Sequence, residues 1–274
     1  MTTTKTALAV ELGVSRSSLY YQPKLPEKDH GLKAQIELVW DDFPEYGQRR
    51  LAIHLKAGKK RVGRVMKLFG MKPPKRRVKK PTKPDDQGKP QAPFPNLIKT
   101  FCPLAPGIVW SSDFTYIPYQ GRFLFLATVM DIYTREIVGW HILCVHTVAL
   151  IQGAFADACR GSSFLPFYFH SDQGSEFKAL EHLRTVQSRG LTISMSAKGS
   201  PWENGFQESY YSNFKLELGD TSRFTTKGEL IAEIHRLINR YNKTRIHTAL
   251  GMSPLNFSRQ FYKKATVRSS DMVY

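Results

Sequence analysis

Cysteine is scarce. Cys102, Cys144 and Cys159 are the only three in 274 residues, and they form no CxxC or Cys/His pairing. That excludes a disulfide scaffold, argues against a zinc module and suits a reducing interior. No run of eighteen apolar residues occurs, so nothing reads as membrane-spanning. The first ten residues lack the long apolar stretch of a secretion signal. No internal repeat is evident. Negative charge is also short: 23 Asp and Glu face 40 Lys and Arg, a net charge of +17. The hydrophobic fraction of 41% is enough for a real core, which excludes a disordered tail or a collagen-like fibre. The length suits two domains, or one large domain with an appendage.

The positive charge is uneven. Residues 1–105 hold 22 Lys and Arg against 9 Asp and Glu, whereas residues 106–274 hold 18 against 14. A polycation of that density attracts phosphate backbones through counterion release. Residues 6–21 predict a helix, a turn at Gly13 and a second helix capped by Ser15, the spacing of a helix-turn-helix. An ordinary αα-hairpin is the competing reading. A short amphipathic helix is predicted over 31–40 around Leu32, Ile36 and Val39. Two further helices, broken near Gly58, carry Arg49, Arg50, Lys59, Lys60, Arg61, Arg64 and Lys67. They form a second basic helix-turn-helix candidate. Residues 72–95 contain seven prolines and many lysines, which predicts an extended basic linker able to lie along DNA. Arg49, Arg50, Lys60, Arg61 and Arg64, with Lys75, Arg76 and Arg77 of the linker, are the candidate phosphate contacts of this region.

From residue 106 the pattern changes. Three alternating segments over 108–145 predict a three-stranded meander. A helix follows over 147–160, then a short buried strand in FYFHSD, a helix running to Gly190, a strand in LTISMS, a mobile Gly/Pro loop and a helix in FQESYYSNFKLELG. Strands followed by alternating helix and strand predict an α/β domain with a mixed sheet. The domain expectations are a partial helix-turn-helix at 1–22, a basic DNA-binding region at 30–72, a linker at 73–105, a core at 106–260 and a tail at 261–274.

Three carboxylates stand out by position: Asp113 in the first strand, Asp172 at the end of FYFHSD, and Glu208 early in the later helix. Thirty-five residues separate Asp172 from Glu208; alone, that spacing carries a high false-positive risk. A carboxylate on a core strand is costly unless paired or metal-bound, and strand ends in open α/β sheets are where ligands gather. Phe206, Tyr210, Phe214 and Leu218 predict the apolar stripe of the last helix, with Glu208 about 200° round from Phe206. Lys215, seven residues on, falls back near the Glu208 face at a rise of about 10 Å. Clustered carboxylates repel one another and stay ionised around a cation. Hard oxygen ligands select Mg²⁺ or Mn²⁺, and two such ions suit phosphodiester displacement.

Four blocks, WSSDFTYI, FHSDQGSEF, KGSPWENGFQESYYSNFKLEL and YNKTRIHTALGMSPLNF, resemble those of the integrase-core transposases of the insertion-sequence-three (IS-three) family, specifically its second-frame product, OrfB. YGQRRLAIHLKAGKKRVGRVMKLFGMK resembles that family's upstream basic helix-turn-helix. The resemblance covers nearly the whole chain, with the blocks in the family's order. It implies a ribonuclease-H-like integrase core with a mixed five-stranded sheet, preceded by a small helical DNA-binding region. It also implies a DDE triad of Asp113, Asp172 and Glu208, two Mg²⁺ or Mn²⁺ ions, and a basic residue at Lys215. The implied activity is nicking at element ends and strand transfer of a DNA 3′-hydroxyl, through a one-end joined intermediate and an excised circle. Double-stranded DNA, a homo-oligomer on it and an upstream-frame OrfA protein or fusion are the implied partners. The setting is a bacterial cytoplasm with no membrane. A start inside a helix-turn-helix agrees with a frameshift product. Glu203 departs from the Asp often found there, and its spacing from Asp172 is five short of that of Glu208. The zinc-binding front domain of retroviral integrases has no counterpart, in keeping with the three cysteines.

Other residues have two readings each. His170 orders the site or packs; Gln173, Gly174 and Ser175 shape a turn; Glu176 is a helix-start charge. Trp202 and Asn204 contact DNA or pack the loop. Arg245 is a phosphate-contact candidate, with Tyr241, Asn242 and His247 holding its helix against the core. The rival functions are a DNA-binding regulator on an inactive core and a ribonuclease-H-like nuclease.

Overall fold

The computed structural model describes residues 4–20, 25–74, 93–99, 103–162, 164–197 and 200–270. The chain divides into two compact units, Met1–Pro74 and Lys75–Tyr274. Among the described residues no helix is long and apolar enough to cross a membrane. Lys75, Arg76 and Arg77 lie outside the described residues.

The first unit is helical. Helix α1 (Lys5–Glu11) starts at Thr4, whose hydroxyl accepts from the Ala7 N–H at 3.4 Å. Gly13 then turns the chain at a φ of +64°, a left-handed conformation suited to glycine. The second helix expected here is only a 3₁₀ turn, Arg16–Tyr20. The Ser15 hydroxyl accepts the Ser18 N–H and sits 2.8 Å from the Ser17 and Ser18 hydroxyls. Such local side-chain bonding competes with the α-helical ladder. Helix α2 (Leu25–Asp42) is longer than the 31–40 segment expected. It buries Leu32, Ile36 and Val39 at helical spacing, together with Asp29. Helices α3 (Gln48–His54) and α4 (Lys59–Leu68) are separated by a break in which Gly58 caps α4. Arg64 of α4 grips Asp29 of α2 through two hydrogen bonds of 2.5 and 2.6 Å.

The second unit is built on a five-stranded sheet, β1 (Val109–Tyr119), β2 (Arg122–Asp131), β3 (Ile137–Leu143), β4 (Tyr168–Ser171) and β5 (Thr192–Met195), in the order β3-β2-β1-β4-β5. The meander β1-β2-β3 is antiparallel, and β4 and β5 add in parallel. The sheet is mixed because tight turns join the first three strands while helices return the chain for the last two. These helices are α5 (Val148–Gly161), α6 (Ser175–Lys178) and α7 (Leu180–Ser188). The single helix expected from 175 to 190 is broken at Ala179, which is extended. The break has a packing cause: Phe177 and His182 are both buried, yet five residues of continuous helix would set them about 140° apart. Helices α8 (Gly205–Leu218), α9 (Lys227–Lys243) and α10 (Pro254–Ser270) complete the unit.

The sheet is covered on both faces, which explains why β2 is buried from Leu126 to Asp131. Leu124, Leu126 and Met130 pack with Tyr210, Phe214, Leu230 and Ile234 of α8 and α9. Ala127 and Val129 point the other way, against Leu150, Ala154 and Phe155 of α5. Gly139 of β3 is what lets α5 come so near. A Cβ there would stand 2.3 Å from the Ala158 nitrogen and 2.5 Å from the Ala154 carbonyl oxygen. Backbone on both sides cannot step aside, so Gly139→Ala is expected to cost about 3 kcal/mol or to abolish folding. Urea unfolding checks this, and an unchanged midpoint would show that α5 does not pack on β3 as described.

Candidate active site

Asp113 sits mid-strand on β1, opposite Thr128 of β2. Ser111 of β1 and His170 of β4 are register partners, and Asp113 and Asp172 each follow one of them by two residues. The two acids therefore emerge from adjacent parallel strands, whose spacing is about 4.8 Å. The Asp113 carboxylate accepts from the Phe114 N–H at 2.8 Å. Beyond the end of β4, the Asp172 carboxylate accepts from the Gly174 N–H at 2.8 Å. Glu208 is exposed in the first turn of α8.

What brings α8 to β1 is a set of buried hydrogen bonds that sequence reading missed. The Gln207 amide nitrogen donates to the Ser111 carbonyl at 2.8 Å, and its oxygen accepts from the Thr128 hydroxyl at 3.0 Å. The Tyr211 hydroxyl donates to the Asp113 carbonyl at 2.6 Å and lies 2.8 Å from the Thr128 hydroxyl. Gln207 and Tyr211 are one turn apart, so both face the strand. That i, i+4 pair, beside the acid, is the signal that was available. The expected stripe needs a matching correction: Phe206 is 48% exposed, while Tyr210, Phe214 and Leu218 are buried. A row of every fourth residue drifts about 40° per step, which carries Phe206 out of the interface.

Electrostatically Asp113 senses both other carboxylates. Burial pushes Asp113 up to about 7, and the charge of Asp172, then that of Glu208, adds to the rise against the Phe114 N–H. Among the described residues none of the three acids forms an ion pair with Lys or Arg. Nor are three His, Cys, Asp or Glu side chains already gathered into a ligand set. The arrangement presents three carboxylates from a strand, the end of its neighbour and a helix, with no Lys or Arg ion pair to any of them among the described residues.

The neighbouring residues resolve differently. The Lys215 ammonium lies 4.3 Å from the centre of the Tyr116 ring, and burial lowers its pKa. His170 is fully buried, with Nδ1 3.0 Å from the Ser194 hydroxyl; burial lowers it to about 4. Glu203 is anchored by Asn96 at 2.8 Å, the Ala197 N–H at 2.7 Å and Lys99 at 3.5 Å, so it braces the loop. The loop expected to be mobile holds a 3₁₀ turn, Pro201–Asn204. The Asn204 oxygen accepts from the Ser111 hydroxyl at 2.7 Å. Gln173 donates to the Ser196 carbonyl at 3.0 Å. Glu176 is buried beside His146, 2.8 Å away, and hydrogen bonds from His146 and Ser175 hold its pKa down against the effect of burial. Asn242 bonds both the N–H and the carbonyl of Ile137, and Tyr241 donates to the Arg135 carbonyl, so both pin α9 to β3 and its turn.

Arg245 is corrected. It is 2% exposed and pairs with the buried Glu217 at 2.5 Å, beside Arg240 at 2.8 Å. A buried carboxylate needs that charge, so the guanidinium is spent inside the fold and is not offered to a phosphate. Arg64 likewise serves Asp29, and Arg50 lies 5.7 Å from the Tyr46 ring centre. Arg49, Lys60 and Arg61 are exposed, Arg61 reaching the Lys28 carbonyl at 3.1 Å.

A mixed sheet of this order, with one acid on the first strand, one just past the end of the fourth and one on a helix tied to the first, defines an integrase-type core. Two models of the integrase core domain match the chain, over residues 103–201 and 189–254. Over 204 residues it is 35% identical to the transposase for insertion sequence element IS904 of Lactococcus lactis subsp. lactis (strain IL1403), covering 73% of this chain and 80% of that one. Over 269 residues it is 34% identical to the insertion element IS600 uncharacterized 31 kDa protein of Shigella sonnei, covering 92% and 98%. A chain of the simian T-cell lymphotropic virus intasome, solved in complex with PP2A regulatory subunit B56 gamma, shares the fold. Its TM-score is 0.50 at 15% identity, over 79% of this chain and 72% of that one. The chain belongs to the IS-three family of insertion-sequence transposases, and it is a DNA transposase of the integrase-core type.

Two predictions follow from the charges. Asp113 is raised in the folded state from 3.8 to about 7. The stability that its protonated form contributes is therefore complete below about pH 4 and is lost as pH rises to about 7. The metal-free protein is expected to lose up to roughly 4 kcal/mol across that window. Asp113→Asn should flatten this part of the thermal-melting profile, and an equally steep profile in the variant would refute the assignment. Removing the Arg245 charge with Arg245→Ala should cost about 3 kcal/mol in urea unfolding; weakened DNA binding at unchanged stability would restore the phosphate-contact role.

Proposed function

We propose that Asp113, Asp172 and Glu208 are the catalytic carboxylates of a DNA strand-transfer reaction at the ends of the element that encodes the chain. The observation that carries this is the delivery of three acids by three separate elements, with Asp113 raised first by burial and then by the charges of Asp172 and Glu208. An all-oxygen donor set without a basic partner fits Mg²⁺ or Mn²⁺, and these three side chains would hold two ions. When bound, such ions supply charge that activates the attacking oxygen and stabilises the leaving one.

The reaction has two displacements. In the first, a water oxygen attacks phosphorus at the element end; the phosphorus–O3′ bond breaks, and the departing oxygen takes a proton to become a 3′-hydroxyl. In the second, that hydroxyl attacks a phosphorus of recipient DNA and loses its proton to solvent as the new phosphodiester forms; the recipient's phosphorus–O3′ bond breaks, and its departing oxygen takes up a proton to become a 3′-hydroxyl. No covalent protein–DNA bond is needed. Asp113, set in the strand and hydrogen-bonded to the Phe114 N–H, is the fixed point of reference, while Asp172 and Glu208 flank it from exposed positions. Lys215, raised on the Tyr116 ring, faces the adjoining phosphate. Arg49, Lys60 and Arg61 of the first unit contact the backbone of double-stranded DNA. A homo-oligomer acting on both ends, an upstream-frame OrfA partner and a bacterial cytoplasmic setting complete the reading.

Asp113→Asn, Asp172→Asn and Glu208→Gln are each expected to lower cleavage of an end-containing duplex by at least about 10³-fold, with binding in a mobility-shift assay retained. EDTA should stop the wild-type reaction. Retained cleavage, or loss of binding in all three variants, would overturn the assignment.

A further inference from the structure

A row of aromatic rings lies on the opposite side of β1 from the acids. Side chains alternate along a strand. Asp113 pairs with Thr128, whose hydroxyl meets Tyr211 of α8, whereas Phe114 pairs with Ala127, which packs with α5. Phe114 and Tyr116 therefore share the α5 face with Phe125, the register partner of Tyr116. The row is continuous. Ring centres are 5.4 Å apart from Tyr116 to Phe123, 6.4 Å from Phe123 to Phe125 and 5.0 Å from Phe125 to His146. His146, from the loop after β3, also lies nearly parallel to Phe114 at 6.1 Å. Tyr116 is 57% exposed, Phe123 48% and the His146 side chain 57%. Single exposed rings are ordinary, but a contiguous exposed group marks a binding surface.

Two observations say what covers it. The first is charge. Strand β4 pairs with β1 only over Val109–Ser111, so the β1 edge beyond Ser111 is open among the described strands. The Lys215 side chain reaches round that edge from α8, its ammonium 4.3 Å from the centre of the Tyr116 ring. Arg122 is exposed beside Phe123, and the Lys227 ammonium stands 3.4 Å from Cys144, two residues before His146. Glu176, the carboxylate bonded to His146 at 2.8 Å, is itself buried and fixes that ring. Cations on this border favour a polyanion over a second copy of a chain with net charge +17.

The second observation is the chemistry of the row. Aromatic side chains offer ring faces. The faces of paired bases are covered by their neighbours in the stack, so only an unpaired base has a face to give. Stacking also tolerates any sequence, because every base has such a face. DNA flanking an element differs at each insertion, and a surface that holds it has to be tolerant in this way.

We propose that the row holds unpaired nucleotides of the flanking DNA, led from the acids round the open edge of β1. Their bases lie on Tyr116, Phe123 and His146, and Lys215 meets the backbone where it crosses the edge. The inference rests on the strand-transfer reading, since that reading brings an element end to the acids. Holding the flank apart leaves the bond at the junction accessible to the carboxylates.

The test uses the full chain and duplexes that carry the element's end. Their flank is either paired or replaced on both strands by unpaired dT tracts of about eight nucleotides. Fluorescence anisotropy should show the forked probe bound at least about tenfold more tightly than the paired one, the equivalent of one base stack. Phe123→Leu, a change at a solvent-facing ring, should remove most of that gain. With 5-iodo-deoxyuridine in the tracts, irradiation and mass spectrometry should locate crosslinks at Tyr116, Phe123 or His146. If the wild-type chain cleaves the paired probe yet gains nothing from the fork, or every crosslink falls elsewhere, the strand surface is overturned and the strand-transfer reading stands. A gain that survives Phe123→Leu and Tyr116→Leu together also overturns it. Loss of a dimer in these variants at unchanged fork affinity would assign the face to a second copy instead. If the paired probe is neither bound nor cleaved by the wild-type chain, both readings fall.

Discussion

The molecule depends on the junction between one helix and one strand. Gln207, Tyr211 and Thr128 form a buried polar network whose every described bond ends on the backbone of β1 or β2 or on another member. A network of that kind is directional, and in a low-dielectric interior a half-made one is costly. It therefore sets the rotation of α8 as well as its distance. Glu208 lies between the two anchoring residues and has no freedom to choose another face. Apolar packing of Tyr210 and Phe214 supplies the adhesion; the hydrogen bonds supply the register.

That junction explains how like charges are kept together. Asp113 is carried by a strand covered on both faces and cannot retreat; Asp172 is carried by the neighbouring strand, and Glu208 by the anchored helix. Burial first, and then the charges of Asp172 and Glu208, raise Asp113, a cost offset by the burial of Trp110, Leu126, Phe155 and their neighbours. Strain of this kind, placed where chemistry is needed and offset by packing elsewhere, is common at active sites.

Basic residues show the opposite division. Arg245 and Arg64 look like surface cations in the sequence, yet each neutralises a buried acid, Glu217 and Asp29. Glu203, near in sequence to Glu208, serves as a loop brace. Charge type and order along the chain did not show which charged residues pair with one another, because pairing is decided by which elements meet. The alternation of β1, β2 and β3 was legible because each strand has turn residues at its ends. The break at Ala179 and the 3₁₀ turn after Gly13 were not, since both answer to contacts or local bonds that override helical periodicity.

The sequence by itself determined the class of sheet and the basic front region, and it singled out three acids as candidates, because these rest on local periodicity, composition and motif order. Only the tertiary structure decided which cations are free, which polar side chains tie α8 to β1, and that Tyr116, Phe123 and His146 belong to one exposed row. Those are questions of proximity between segments far apart in the chain, and burial, not residue type, settles them.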